Sequence, residues 1–355
     1  MGVGTVLVRR AIALTVALIV VVIITSLIIT ASGYDEMIYK AIINTMVREY
    51  QRALQQRHVA NVTEAVEKYR EMLIRVFGLN QPPLVRALYH VRDILTLNLG
   101  YTQMEATCDI AGLPFPSPVS EVILVTLPRT IIMITVAMLI CAAIALPLGP
   151  LIAYKRGGLL DKFVITYAAV FNAIPVWWLA MVFIVITGFM LRIAPTDYRV
   201  ILAVLNTFWQ NPLHNFVELL RDSYVPITVV VISFLGSWFY NVRAMVMRVV
   251  SEDFVIVAKA KGLSDEEVAK RHILRAALPA VLTFTILSLA GSIGGFIITE
   301  SVFDWPGMGM LYYAAITTGD SAVLLGLVFI TTLVYVVARF ILEVLYILVD
   351  PRVRL

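Results

Sequence analysis

From Ala11 to Ser32 this chain carries no charged residue, and five more apolar runs of similar length follow. They are Thr130–Tyr154 (or from near Ser120), Phe163–Leu191, Ser223–Val242, Pro279–Thr299 and Ala322–Val349. A helix rises about 1.5 Å per residue, so about 20 apolar residues cross the ~30 Å hydrocarbon layer of a bilayer. Lipid offers no hydrogen bonds to backbone groups, so such runs must satisfy their own N–H and C=O groups as helices. The pattern predicts an all-α polytopic membrane protein with six transmembrane helices. Composition agrees: 60% of residues are hydrophobic and 15% charged, against about 25% charged in soluble domains. The first run is longer than the ~7–15-residue apolar core of a signal peptide, so it reads as a retained span.

Lys and Arg in short connections set orientation. Lys155, Arg156 and Lys162 lie between spans two and three. Arg243, Arg248, Lys259, Lys261, Lys270, Arg271 and Arg275 lie between spans four and five, and Arg352 and Arg354 follow span six. The other side holds Arg192, Arg199 and Arg221, and no Lys or Arg between Ser301 and Ser321. Both termini are therefore expected in the cytoplasm of a cell whose inner or plasma membrane holds the chain.

The chain divides by this reading into 1–32, the N-terminus and first span; 33–119, an extracytoplasmic helical insertion between spans one and two; and 120–355, a core with five spans. In the insertion, Asn61 with Glu64 forms a capping-box pattern. Ala65, Val66, Tyr69, Met72, Leu73, Val76 and Phe77 then repeat at helical spacing. Pro82 and Pro83 open a second helix, with Leu84, Ala87, Leu88, Val91, Ile94 and Leu95 on one face. Cys108 lies in a polar stretch and Cys141 in an apolar run, so no disulfide is expected to join them. No CxxC or Cys/His cluster points to a metal.

The link between spans four and five, 251–279, is the most informative segment. It predicts two short helices broken at Gly262, which stands where a left-handed residue ends a helix. Ser264 and Glu267 form a capping box for the second helix. Asp265, Glu266 and Glu267 suit its N-terminal dipole end, and Lys270, Arg271 and Arg275 its C-terminal end. A short helix projecting from the membrane is suited to docking in a groove of a partner.

This link resembles the EAA loop of importer-type ABC permeases. Ala258 and Gly262 match its third residue and glycine, Ile256 and Val257 replace its Glu and first Ala, and Leu274-Arg275 stands at its Leu-Pro. Asp253-Phe254-Val255, Ala258-Lys259-Ala260-Lys261 and Gly262-Leu263 follow the form seen in the dipeptide/oligopeptide permease branch. Asn98-Leu99-Gly100-Tyr101-Thr102, Pro147-Leu148-Gly149, Val302-Phe303 with Pro306-Gly307 and Gly309, and Asp350-Pro351-Arg352-Val353-Arg354 match in the same order. The resemblance implies the type I ABC importer fold. It also implies a second homologous permease subunit, two ATPase subunits that bind the ATP and Mg, and an extracytoplasmic substrate-binding protein. This chain would itself carry no cofactor, no catalytic residue, no metal and no nucleic acid. Its own residues agree, since no G-x-x-x-x-G-K-[ST] phosphate loop is present.

The ATPase-coupling candidates are Ala258, Gly262, Leu263, Ser264, Asp265, Glu266, Arg271 and His272. Polar groups at lipid depth are costly and face protein or a cavity, which makes Asn172, Trp177, Ser288, Ser292 and Glu300 the candidates for the translocation path. Pro175 would kink span three. Gly291, Gly294 and Gly295 read as close helix packing. Arg339 and Glu343, four apart, would neutralise each other. The implied cargo is a peptide, with an oligosaccharide as the alternative. An ion-coupled transporter would instead call for paired carboxylates or broken helices near the midplane.

Overall fold

The computed structural model describes residues 3–56, 61–154, 156–264 and 267–349. Among them the structure is helical, with no strand beyond an isolated bridge between Tyr101 and Pro118. Helix α1 (Val3–Ala31) is the first span. Helices α2 (Tyr34–Gln56), α3 (Val62–Val76), α4 (Pro83–Leu95) and α5 (Glu105–Ala111) follow it. Helix α6 (Val119–Ala153) is the second span, widened by one π turn at Ile131–Thr135 just after Pro128. Pro128 has no N–H to give to the helix ladder, and a π turn is one way a helix absorbs such an interruption.

The third apolar run is not one rod. Helix α7 (Leu159–Ala173) and the segment α8 (Val176–Met190) meet at 89°. Pro175 excludes the preceding residue from helical geometry, and Ile174 is extended at φ −91°, ψ 121°. The expected kink is thus a sharp elbow, and the described residues hold six spans only if this bent pair is counted as one. After a short helix α9 (Ile201–Asn206), α10 (Pro212–Val250) continues for 39 residues. That is about 58 Å, well beyond the hydrocarbon layer. Helix α11 (Asp253–Ala260) leads to α12 (Leu274–Ile293), which is followed by α13 (Ile297–Phe303), α14 (Met308–Thr318) and α15 (Ser321–Val349).

The residues fall into two compact units. One comprises 1–14, 126–310 and 334–355. Its core gathers Met133, Ile134, Tyr198, Ile201, Trp238, Phe303 and Trp305, all at most 2% exposed. Small residues let its helices approach closely: a Cβ on Gly149 would lie 2.6 Å from Val242 Cγ1, and one on Gly236 would lie 2.7 Å from Ala168 Cα. The Asp161 carboxylate, at the start of α7, pairs with Arg243 on α10 and accepts the Gly157 N–H at 2.9 Å.

The other unit comprises 15–125 and 311–333. Here α2 and α3 pack side by side through Ile43, Val47 and Leu73, joined by Met46, Val66, Tyr69 and Phe77. Met72 and Val76 remain exposed, as do Leu84, Leu88 and Leu95 on α4, whose inner face is Ala87 and Ile94. The Asn61 capping box does not form. Asn61 is left-handed at φ 63° with no side-chain cap, and Glu64 pairs with Lys68 at 2.7 Å instead. Asp35, fully buried, accepts from Arg86 Nε at 3.0 Å, with His90 Nε2 at 3.9 Å. Burial pushes the Asp35 carboxyl up, but hydrogen bonds from His90, Arg86 and the Glu36 amide outweigh it and hold the group below its ordinary value. Asp320 precedes α15 and accepts from the backbone N–H groups of Gln103 (2.9 Å), Met104 (3.2 Å) and Val323 (3.1 Å). It thereby fastens the 98–104 strap to the mouth of the last span. Cys108 and Cys141 are both free and buried.

Candidate functional site

Helix α11 ends as its sequence dictates. The Gly262 N–H bonds to the Lys259 carbonyl at 2.9 Å and the Leu263 N–H to the Ala258 carbonyl at 3.4 Å, with Gly262 at φ 82°. This pair of bonds is the Schellman ending, which places a left-handed residue just past the helix. Two residues on, Ser264 and Glu267 cap each other. Ser264 N donates to Glu267 Oε2 at 3.3 Å, and Glu267 N donates to Ser264 Oγ at 3.4 Å. The predicted capping box is therefore present, with Leu263 the one residue between Gly262 and Ser264.

The second predicted element is not a separate short helix ending at Pro279. Val268–Ile273 winds as a π turn and runs without a break into α12, with Pro279 inside the helix. No glycine or capping residue stands between Leu274 and Pro279 to stop it, and the apolar run simply continues into the span.

Burial separates two faces of α11. Val255 and Ala258 turn inward, packing with Ala153, Val246, Val268, Ile273 and Ala277. Phe254, Ile256 and Val257 are exposed, at 42%, 63% and 51%. Of the coupling candidates, Ala258 is thus an inward packing residue, Gly262 and Ser264 are exposed, and Leu263 is half-buried. Arg271 is exposed and His272 half-buried, while Asp265 and Glu266 lie outside the described residues. Phe254, Ile256 and Val257 entered the sequence reading as motif positions and not as coupling candidates. The signal was present as three apolar side chains within an otherwise polar link.

The translocation-path candidates occupy two settings. Asn172 and Trp177 sit on either side of the α7–α8 elbow and are exposed, and Ser288 on α12 is half-buried. Ser292 and Glu300 are enclosed. Ser292 Oγ bonds to Thr135 Oγ1 at 3.0 Å and to the Leu289 carbonyl at 2.7 Å. Glu300, with no exposed surface, accepts the N–H of Phe296 at 3.2 Å, the N–H of Gly309 at 3.0 Å and the hydroxyl of Thr130 at 3.2 Å. Thr130 Oγ1 in turn accepts the Met308 N–H at 2.7 Å.

Three glycines clear the space around this carboxylate. A Cβ on Gly295 would lie 2.5 Å from Glu300 Oε1, one on Gly309 would lie 2.9 Å from Glu300 Cδ, and one on Gly307 would also collide with the carboxylate. The Pro306-Gly307 and Gly309 motif therefore has a physical reason: it wraps backbone donors around Glu300. Arg129 Nη1 to the Pro306 carbonyl (3.2 Å) and Trp305 Nε1 to the Arg129 carbonyl (3.0 Å) seal the same wrap against α6. Sequence reading saw the glutamate and the glycines separately, because Thr130 and Glu300 are remote in the chain.

The sequence as a whole is similar to known proteins. The family model for the binding-protein-dependent transport system inner membrane component matches residues 145–355, which include the capped link, Glu300 with its three glycines, and α15. The oligopeptide transport system permease protein AppB of Bacillus subtilis is 27% identical over 285 residues, covering 80% of this chain and 85% of that protein. The di/tripeptide transport system permease protein DppB of Pseudomonas aeruginosa is 29% identical over 299 residues, covering 81% and 85%. The metal-staphylopine import system permease protein CntB of Staphylococcus aureus is 27% identical over 294 residues, covering 82% of each. The chain belongs to the family of inner membrane components of binding-protein-dependent transport systems.

Proposed function

We propose that this chain is one of two pore-forming permease subunits of an ATP-driven importer of di- and oligopeptides, and that the 251–279 link is its grip on the ATPase subunits. The observation that carries this reading is the link's geometry. Phe254, Ile256 and Val257 project from a helix whose C-terminal end is fixed by the Gly262 and Leu263 N–H bonds, with the Ser264–Glu267 cap opening the next turn. An exposed apolar face on a short rigid helix is a groove-docking element. On this reading ATP and Mg reside in the partner ATPases, and the two ATPases pull the links together as they close. A separate extracytoplasmic protein delivers the cargo. The link and both termini face the cytoplasm, following the Lys and Arg distribution, and the 33–119 insertion lies outside. Asn172, Trp177 and Ser288 contribute to the path. Ser292 and Glu300 act as positioning residues that hold its wall. The peptide cargo is drawn from the two peptide-transport relatives.

Purification of the tagged chain in mild detergent is expected to bring down a second permease and an ATPase pair, and reconstituted uptake is expected to require ATP and those ATPases. Full uptake without the ATPases would overturn the reading. A Ser264→Cys variant should react with an impermeant thiol reagent only from the cytoplasmic side. Thermal shifts of the cognate binding protein should respond to short peptides, and a response to oligosaccharides alone would replace the cargo.

A further inference from the structure

The start of α1 and the end of α15 come together around one buried carboxylate. Glu343, with its side chain 7% exposed, receives Arg10 Nη1 at 2.6 Å and Arg339 Nη2 at 3.4 Å, both on the same oxygen, Oε1. The pairing of Arg339 with Glu343 follows from their spacing of four, whereas Arg10 reaches the site only through the fold. Arg9, Arg10, Arg339 and Glu343 line a cavity of about 490 Å³ whose remaining wall is Val6, Ala13 and Leu14. Three guanidinium groups against one carboxylate leave an excess of two positive charges, and Arg9 is exposed to this space.

We propose that this cavity binds the phosphate of an anionic phospholipid headgroup. Three features point to it. A charge excess next to hydrocarbon is costly unless an anion offsets it, and basic pockets between spans take anionic headgroups. Guanidinium forks match phosphate oxygens geometrically, and Glu343 occupies only one of the five N–H donors on each of Arg10 and Arg339. Val6, Ala13 and Leu14 continue the polar end into an apolar wall, which suits an acyl chain and gives a free phosphate nothing to pack against. The depth is also right. The span Gly4–Ala31 has 28 residues, about 42 Å of helix, so its first turns reach beyond the ~30 Å hydrocarbon layer into the headgroup zone. The lipid would staple the first and last spans at one bilayer surface. The inference stands on this geometry alone, whatever the cargo.

The test uses the full chain, purified with whatever subunits accompany it, in nanodiscs of phosphatidylglycerol or phosphatidylcholine, followed by native mass spectrometry of retained lipid. Phosphatidylglycerol should be retained and phosphatidylcholine lost. Arg9→Gln should weaken retention about fivefold without disturbing the pairing of Glu343. Glu343→Gln should strengthen retention, because it removes the competing negative charge. A site for soluble anions would instead release its occupant to millimolar inorganic phosphate. Equal retention of the two lipids, displacement by phosphate, or indifference to both substitutions overturns the proposal.

Discussion

Glu300 accepts from the neutral Phe296 and Gly309 N–H groups and the Thr130 hydroxyl, and this defines what its replacement should do. Glu300→Ala would strand the Phe296 and Gly309 N–H groups and the Thr130 hydroxyl away from water. Each stranded buried donor costs about 1–3 kcal/mol, so the variant should melt several degrees lower and lose uptake. Glu300→Gln keeps one acceptor oxygen and should retain more of both. Gly309→Ala, which drives a Cβ to 2.9 Å from both Glu300 Cδ and the Phe296 backbone carbonyl carbon, should resemble Glu300→Ala in a thermal-shift assay. Wild-type melting of Glu300→Ala would show that the wrap is dispensable. At Gly262 an added Cβ would meet nothing within 4 Å, so only its φ of 82° is at stake. Left-handed geometry costs a residue with a Cβ about 1–2 kcal/mol, more for a β-branched one, and Asn least. Gly262→Val should therefore loosen the turn and lower transport per ATP hydrolysed, and Gly262→Asn should spare it. Unchanged coupling in Gly262→Val would remove the turn from the mechanism.

Among the elements, those written in local chemistry were legible and those set by distant contacts were not. Spans one, two and four follow from runs without charge, span six from a run broken by the Arg339–Glu343 pair, and the two ends of the 262–267 turn from a glycine and a Ser/Glu pair. The 89° elbow was visible as Pro175, but its angle depends on what α7 and α8 pack against. Helix α2 went unread although Ile43, Val47, Tyr50 and Leu54 repeat at helical spacing, with Arg48, Glu49 and Arg52 on the opposite face. Likewise Asn61 looked like a cap, yet its left-handed backbone turns the side chain away from the helix. The Asp35–Arg86 pair, remote in sequence and buried, gives α2 and α4 a pH dependence. Since the Asp35 carboxyl is held below its ordinary value, its contribution is complete above that value and is lost as pH falls through the lowered one. Hydrogen exchange of α2 and α4 should stay slow at neutral pH and quicken in acid. An Asp35→Asn variant should be weaker at neutral pH and show a flatter acid response. A wild-type acid profile in that variant would assign the dependence to another group.

On the scale of the molecule, the capped turn, α12 and the Glu300 wrap lie on one uninterrupted stretch of chain. From Val268 the link runs without a loop into α12, and the first break after it comes at Gly294 and Gly295, the latter at φ 79°. If the link is gripped as proposed, a displacement applied to it has no loop to disappear into along that rod. It re-emerges at the paired glycines, next to the carboxylate that clasps 296–309 against α6. Under that proposal the chain is a pushrod acting on a clasped flap, which requires stiffness in the rod and softness at its tip, and a glycine pair inserted halfway along α12 would leave the stroke below with nothing to move above.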